Sequence, residues 1–177
     1  TYYYYSYMGV NFSNLEMYDL SLENYLDAHQ IALNLKDQSA RHRTENNIGH
    51  VLLQLNRLEE AIGYFEKFYQ YGVDKNIAAY KAVGLNNLGE AFYKQGKTFK
   101  ALDRINSSLA VRNKDNKSLK ISSAYHNLAK VHLQLENYQK AQSYIQQELN
   151  SGDIRIIQPS SLTYQFNLSL VYKKSPR

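Results

Sequence analysis

Cysteine and tryptophan are absent from this 177-residue chain, and proline occurs only at Pro159 and Pro176. Without cysteine there is no disulfide, no thiolate nucleophile and no thiolate zinc site. The compartment stays open, since cytoplasm and bacterial periplasm both accept cysteine-free proteins. So few prolines permit long helices, and Pro159, ahead of Ser160-Ser161-Leu162, suits the first turn of one, where a missing N–H goes unneeded. No window approaches the roughly 18 unbroken apolar residues that a membrane-spanning helix requires, so a soluble chain is expected. Glycine-rich phosphate loops and nucleophile motifs are missing too. The five histidines, His29, His42, His50, His126 and His132, lack the i, i+4 pairing and the nearby carboxylate of a helical metal site. His132 reads instead as a packed, hydrogen-bonded core side chain. No metal, no cofactor and no catalysis are expected of this segment.

What the chain does have is a pattern that returns every 40 residues. Gly9, Gly49, Gly89, Ala129 and Ser169 each follow a large apolar residue: Met8, Ile48, Leu88, Leu128 and Leu168. Twelve residues after the first four comes a second small residue, Ser21, Ala61, Ala101 or Ala141, and four further on a large apolar one, Tyr25, Phe65, Ile105 or Ile145. Internal repetition of this kind decides the architecture before propensity is consulted.

Helical spacing gives one period its form. In the third copy Leu85, Leu88, Ala91 and Phe92 share one helical stripe, and Ala101, Leu102, Ile105 and Leu109 share another. Lys94-Gln95-Gly96-Lys97 between them is a polar break whose glycine suits a positive φ at a helix C-terminus. The unit is a helical hairpin. A glycine inside the first helix costs roughly 1 kcal/mol against alanine, so its recurrence requires a gain, and close packing of Ala61 or Ala101 against the facing backbone would supply one. First helices are expected near 1–14, 40–55, 78–95, 118–135 and 159–174, and second helices near 17–36, 58–72, 98–112 and 138–150.

At these residues the chain resembles the tetratricopeptide repeat. The closest copy runs from Asn86-Asn87-Leu88-Gly89-Glu90-Ala91-Phe92-Tyr93 through Gly96 to Lys100-Ala101-Leu102. The resemblance implies an all-α, right-handed superhelical solenoid of about four and a half hairpins, with repeats at about 2–38, 42–76, 82–116, 122–152 and a partial one at 159–175. Three departures mark an extended variant. The usual period is about 34, so a longer second helix or a longer link is expected. The tryptophan position is held by Tyr5, Glu45, Leu85, Tyr125 and Gln165, and the closing proline is missing.

The resemblance further implies a protein- or peptide-binding module whose inner wall is built by first helices. Its positions here are Asn46, Asn86 and His126, then His50, Glu90 and Lys130, flanked by Asn47, Asn87 and Asn127 and followed by Tyr93, Lys94 and Gln134. The asparagines admit two readings: amides that bond backbone between repeats, or amides that hold an extended peptide beside Lys94 and Lys130. Openings similar to Leu-Asn-Asn-Leu-Gly and endings similar to Arg-Asn-Lys-Asp-Asn resemble sensor regions of bacterial signalling proteins of the histidine kinase or diguanylate cyclase type. The alternatives are a stand-alone scaffold or a peptide-sensing regulator.

Charge and aromatics complete the reading. Residues 94–140 hold ten basic and three acidic side chains, net +7, which reads as a solvated outer face or as a docking patch for an acidic partner. Few aromatics interleave with these lysines, so nucleic acid is not an expected partner, and neither is a membrane. The 17 tyrosines read mainly as repeat packing, with a sticky groove plausible for Tyr93 and the N-terminal run but not for Tyr25 or Tyr138. The chain opens inside a helical run, Thr1–Tyr5, and closes after one helix of a fifth hairpin, exposing Leu168 and Val171. It reads as a segment of a longer protein that could pair with a second copy through its ends.

Overall fold

The computed structural model describes residues 1–114 and 121–151. Every regular element among them is an α-helix: α1 Tyr2–Asn14, α2 Tyr18–Asn34, α3 Gln38–Gln54, α4 Leu58–Asp74, α5 Ala78–Lys94, α6 Thr98–Lys114, α7 Ser122–Gln134 and α8 Tyr138–Asn150. Each helix packs against the next, and α5 also touches α3 and α7, which stacks the hairpins α1/α2, α3/α4, α5/α6 and α7/α8 in a row. The result is an all-α solenoid of helical hairpins. The opening helix expected of a fifth hairpin, with Leu168, Ser169, Val171 and Tyr172, falls on residues outside those described.

One turn geometry is used throughout. Glu16, Lys36, Asn56, Asn76, Gly96 and Glu136, all in step at multiples of twenty, have positive φ, between 50° and 73°. At each, two backbone bonds close the preceding helix; at the first turn Glu16 N donates to Ser13 O and Met17 N to Phe12 O. This paired closure satisfies carbonyls that a helix end otherwise leaves unbonded. The next helix starts at once, with Ser21 N donating to Met17 O in the first turn and Ala101 N to Lys97 O in the fifth. The first two links between hairpins, 35–37 and 75–77, are therefore as short as links within them, whereas α6 ends at Lys114 and α7 begins at Ser122. At the first two links the length beyond about 34 residues is not in a longer link or in the second helix alone: α3, α4, α5 and α6 are all 17 residues long.

The core follows the repeat. Ile48, Leu52, Ala61, Phe65 and Leu88 join one buried cluster, Ala101, Ile105, Leu128 and Val131 a second, and Ala129, Ala141 and Ile145 a third. The repeating glycines do what close approach demands, with a larger partner beside the small residue expected. A Cβ at Gly9 would fall 2.7 Å from the Tyr25 ring and one at Gly49 2.6 Å from the Phe65 ring, while at Gly89 it would collide with Ile105. The large residue sixteen positions on fills the notch. The small residue twelve on brings the backbones together: Ser21 Oγ donates to Gly9 O at 2.7 Å, and Ala101 O would lie 3.2 Å from a Cβ on Gly89.

Between hairpins a second pair of glycines permits the same intimacy. A Cβ on Gly84 of α5 would sit 2.8 Å from Tyr69 Cβ of α4, and one on Gly72 2.8 Å from Tyr80 Cβ. Two hydroxyls tie neighbouring helices as well: Ser108 Oγ donates to Ala82 O at 2.6 Å, and Tyr2 Oη to Ala40 O at 3.4 Å.

Candidate functional site

The first helices α3, α5 and α7 present equivalent positions side by side, and the amides among them are already engaged. Asn87 Nδ2 donates to Asn46 Oδ1 of the preceding hairpin at 2.8 Å, and Asn127 Nδ2 donates to Asn86 Oδ1 at 3.3 Å. The two bonds are one motif repeated, a donor two before the small residue and an acceptor three before it in the previous copy. Asn86, Asn87 and Asn127 are buried, whereas Asn46 and Asn47 are half-buried. The amides thus bond each other's side chains across repeats, rather than backbone. Paired in this way they avoid the cost of burying unsatisfied polar groups and set the spacing of the helices.

On the same wall lie the groups that carry charge. His50 Nε2 accepts from Asn87 Nδ2 at 3.1 Å, and its ring meets the Phe65 edge at a centroid distance of 5.4 Å. Burial pushes the His50 pKa down, with the Glu90 charge opposing, so the ring is neutral at pH 7 and keeps Nε2 as an acceptor. Lys130 Nζ stands 3.6 Å from Glu90 Oε1 and 5.4 Å from the centre of the Tyr93 ring. His126 Nδ1 lies 3.2 Å from Glu148 Oε1, and that carboxylate is buried. Lys94 and Gln134 are exposed at the edge of the wall. The arrangement offers a neutral ring, an anion, a cation and a phenol in fixed order, with the amides behind them.

The histidines are not as free of carboxylates as their spacing in the chain indicates. Glu45, in the tryptophan position of the repeat, is 1% exposed and receives three side chains. His29 of α2 donates from Nε2 to Oε1 at 3.3 Å, Arg41 from Nε to the same oxygen at 3.0 Å, and His42 from Nδ1 to Oε2 at 2.5 Å. His42 stacks in turn on Tyr71 of α4, centroids 4.0 Å apart. Burial alone would push the Glu45 carboxyl up; the bonds from His29 and Arg41 and the charges beside it outweigh burial and hold its pKa at about 2. Among the described residues no three His, Cys, Asp or Glu side chains are placed to hold a metal ion. A carboxylate at a helix-packing position was the sequence signal for this cluster, because a buried charge must find partners. His132 is buried as expected and stacks on Tyr144, but its Nδ1 lacks a hydrogen bond.

The basic segment does not form one outer face. Lys100, Arg104 and Lys114 are exposed on α6, but Arg112 is buried with its Nε donating to Ser108 Oγ at 3.2 Å, and Lys130 belongs to the first-helix wall. Lys117 and Lys120 lie outside the described residues. No helix among the described residues is long and apolar enough to cross a membrane.

Stacked hairpins joined by a polar seam along their first helices define a helical repeat protein. Sequence comparison gives the family: residues 80–151 and 46–71 match the tetratricopeptide repeat, so the chain carries tetratricopeptide repeats. No curated protein matches its sequence significantly. Solved structures of similar fold include BtubC from P. vanneervenii, 22% identical with a TM-score of 0.70 over 83% of this chain and 61% of that one. A Rap protein complexed with Competence and Sporulation Factor is 16% identical, with a TM-score of 0.84 over 98% of this chain and 48% of that one. Aspartyl phosphate phosphatase F from Bacillus subtilis is 16% identical, with a TM-score of 0.76 over 97% and 44%. The chain thus spans between two fifths and three fifths of the length of these structures, and at such identities the likeness is one of fold.

Acid stability checks the Glu45 cluster. Its folded pKa is below the ordinary 4.5, so its stabilisation is present above that value and is lost as pH falls from there towards about 2. His42 and His50 are also held down by burial, so proton uptake by the unfolded chain begins to cost stability below about 6.5. Glu45→Gln is expected to cost about 3 kcal/mol at pH 7 in urea unfolding and to flatten the loss of stability between pH 4.5 and pH 2. An unchanged acid limb in that variant would contradict the cluster's role.

Proposed function

We propose that the chain is a protein- or peptide-recognition module that works through its first-helix wall and carries no catalysis of its own. The observation that carries this reading is the wall itself: Lys130, Glu90, Tyr93 and His50 stand on three stacked helices whose mutual spacing is locked by the Asn46–Asn87 and Asn86–Asn127 bonds. The amides supply rigidity. Ligand contact falls to the side chains in front of them, together with His126, Asn47, Lys94 and Gln134. An acidic group of a ligand can exchange with Glu90 for Lys130, which keeps its cation satisfied throughout. The complexed Rap protein, a structure of the same fold, supports a binding role. The parent is read as a bacterial signalling protein of the histidine kinase or diguanylate cyclase type, from the resemblance of the Leu85–Gly89 opening and the Arg112–Asn116 ending.

A displayed library of random peptides tests the wall. Peptides enriched on the wild-type chain are expected to bear a carboxylate and to bind about tenfold or more weakly to Lys130→Ala, with helical content and urea midpoint little changed. Binders indifferent to Lys130, Tyr93 and His50 alike would refute the wall as the ligand surface.

Self-association through α1 is a second proposal, favoured by a specific contrast. Tyr4 is 61% exposed, while Thr44 and Ala124, its counterparts at multiples of forty, are 1% and 0% exposed. Tyr7 is 65% exposed where its counterparts Asn87 and Asn127 are buried, so a face that packs between hairpins elsewhere is open here. Sedimentation equilibrium is expected to show a dimer that Tyr4→Glu dissociates. A wild-type monomer at high concentration would exclude it.

A further inference from the structure

The third hairpin breaks a side-chain pattern that the second and fourth keep. Forty residues before and after Arg104 stand Tyr64 and Tyr144. Tyr144 stacks on His132 of its own first helix, centroids 5.5 Å apart and planes 15° from parallel, and packs against the core around Leu128. Tyr64 packs half-buried on the core that contains Leu52, the counterpart of His132 in that hairpin. In the third hairpin the counterpart is Phe92, but its tyrosine is replaced by Arg104, whose side chain is 44% exposed.

An open pocket of about 450 Å³ lies at this point, between α4 and α6 and over α5. Leu88 and Phe92 line it from α5, Lys67, Gln70 and Glu66 from α4, and Arg104 from α6. Its volume falls among those of ligand pockets, roughly 300–1,000 Å³. The charge around it is mainly positive. Arg104 Nε is 3.9 Å from Asp103 Oδ2, beyond hydrogen-bond length. Lys100 Nζ stands 5.8 Å from the Phe92 ring centre, and Lys67 Nζ 4.9 Å from that of Tyr64.

We propose that this pocket takes an aromatic side chain from an acidic peptide segment of a partner protein. The ring seats against Phe92 in the place that Tyr144 takes against His132, and carboxylates next to it in the peptide pair with Arg104, Lys67 and Lys100. The aromatic floor supplies the shape, and the three cations choose the sign of the neighbouring residues. The site is rimmed by the second helices α4 and α6 over Leu88 and Phe92 of α5, shares no residue with the first-helix wall, and stands or falls independently of it.

The chain's lack of tryptophan provides the test. An acetylated, amidated peptide Glu-Glu-Trp-Glu-Glu, excited where tyrosine does not absorb, reports its own burial. With the wild-type chain a saturable blue shift of its emission is expected, weakening as salt rises. Arg104→Tyr, which restores the residue of the second and fourth hairpins, should fill the pocket and weaken binding about tenfold or more, as should Arg104→Glu. Lys140→Ala, at an exposed position of α8, should leave it unchanged, and Glu-Glu-Ala-Glu-Glu should not compete. Absence of a saturable shift with wild type, equal binding by Arg104→Tyr, or competition by the alanine peptide at similar concentration would each overturn the proposal. Equal affinity for the uncharged N-acetyltryptophanamide would do so too, because the carboxylates of the peptide would then contribute nothing.

Discussion

The close approach of two helices at a glycine is the constraint from which the rest of this molecule follows. The first three hairpins shut by seating one large side chain, Tyr25, Phe65 or Ile105, where the first helix has no Cβ, and the fourth keeps a small residue, Ala129, at the same position. That contact fixes how far the second helix stands from the first, and identical short turns fix where each helix begins and ends. Because the hairpins close alike, the first helices stack in register, and residues 41 apart come within hydrogen-bond distance. The wall is a consequence of hairpin closure, and the amides then lock it.

Much of this was legible in the sequence, since the signals were periodic. The positions of Gly9, Gly49 and Gly89 placed three first helices, and the stripes of Leu85 and Ala101 placed the pair in the third hairpin. The expected small residue does approach, with Ala101 O 3.2 Å from where a Cβ on Gly89 would lie, but the larger occupant of each notch was missed for a geometric reason: residues twelve and sixteen further on lie on one helical face, four apart. Spacing cannot say which of them reaches the notch; the side chain with volume to fill it does. The turns were similarly half visible. Gly96 announced its conformation and Asn56 and Asn76 are of a type that tolerates it, but Glu16, Lys36 and Glu136 adopt the same positive φ without the residue type that usually advertises it. Their cost is met by the backbone bonds of the turn and by the packing of the helices they join.

The site was less legible, because its key interactions join helices through residues 16 to 41 apart, and only the stacking of those helices decides which of them meet. The asparagines were visible as a ladder, yet whether they face a ligand or one another depends on how close adjacent first helices stand. Glu45 receives His29 from the helix before it, a pairing that chain spacing hides. The basic segment shows the opposite failure, where composition suggested a unity the fold does not have: Arg112 is buried, Lys130 joins the wall, and Arg104 rims a pocket on the far side of α5. Linear charge predicts a surface only when the residues share one.

The central claim is that a glycine notch, filled from the facing helix, closes the first three hairpins, and a double-mutant cycle on Gly89 and Ile105 tests it most directly. In the wild-type background Gly89→Ala should cost about 1–3 kcal/mol by urea unfolding, as the added methyl collides with Ile105. With Ile105→Ala already in place the same change should cost nothing, or should stabilise by up to about 1 kcal/mol through helix propensity. An equal loss in both backgrounds would show that the notch and its occupant are not coupled, and would contradict the account.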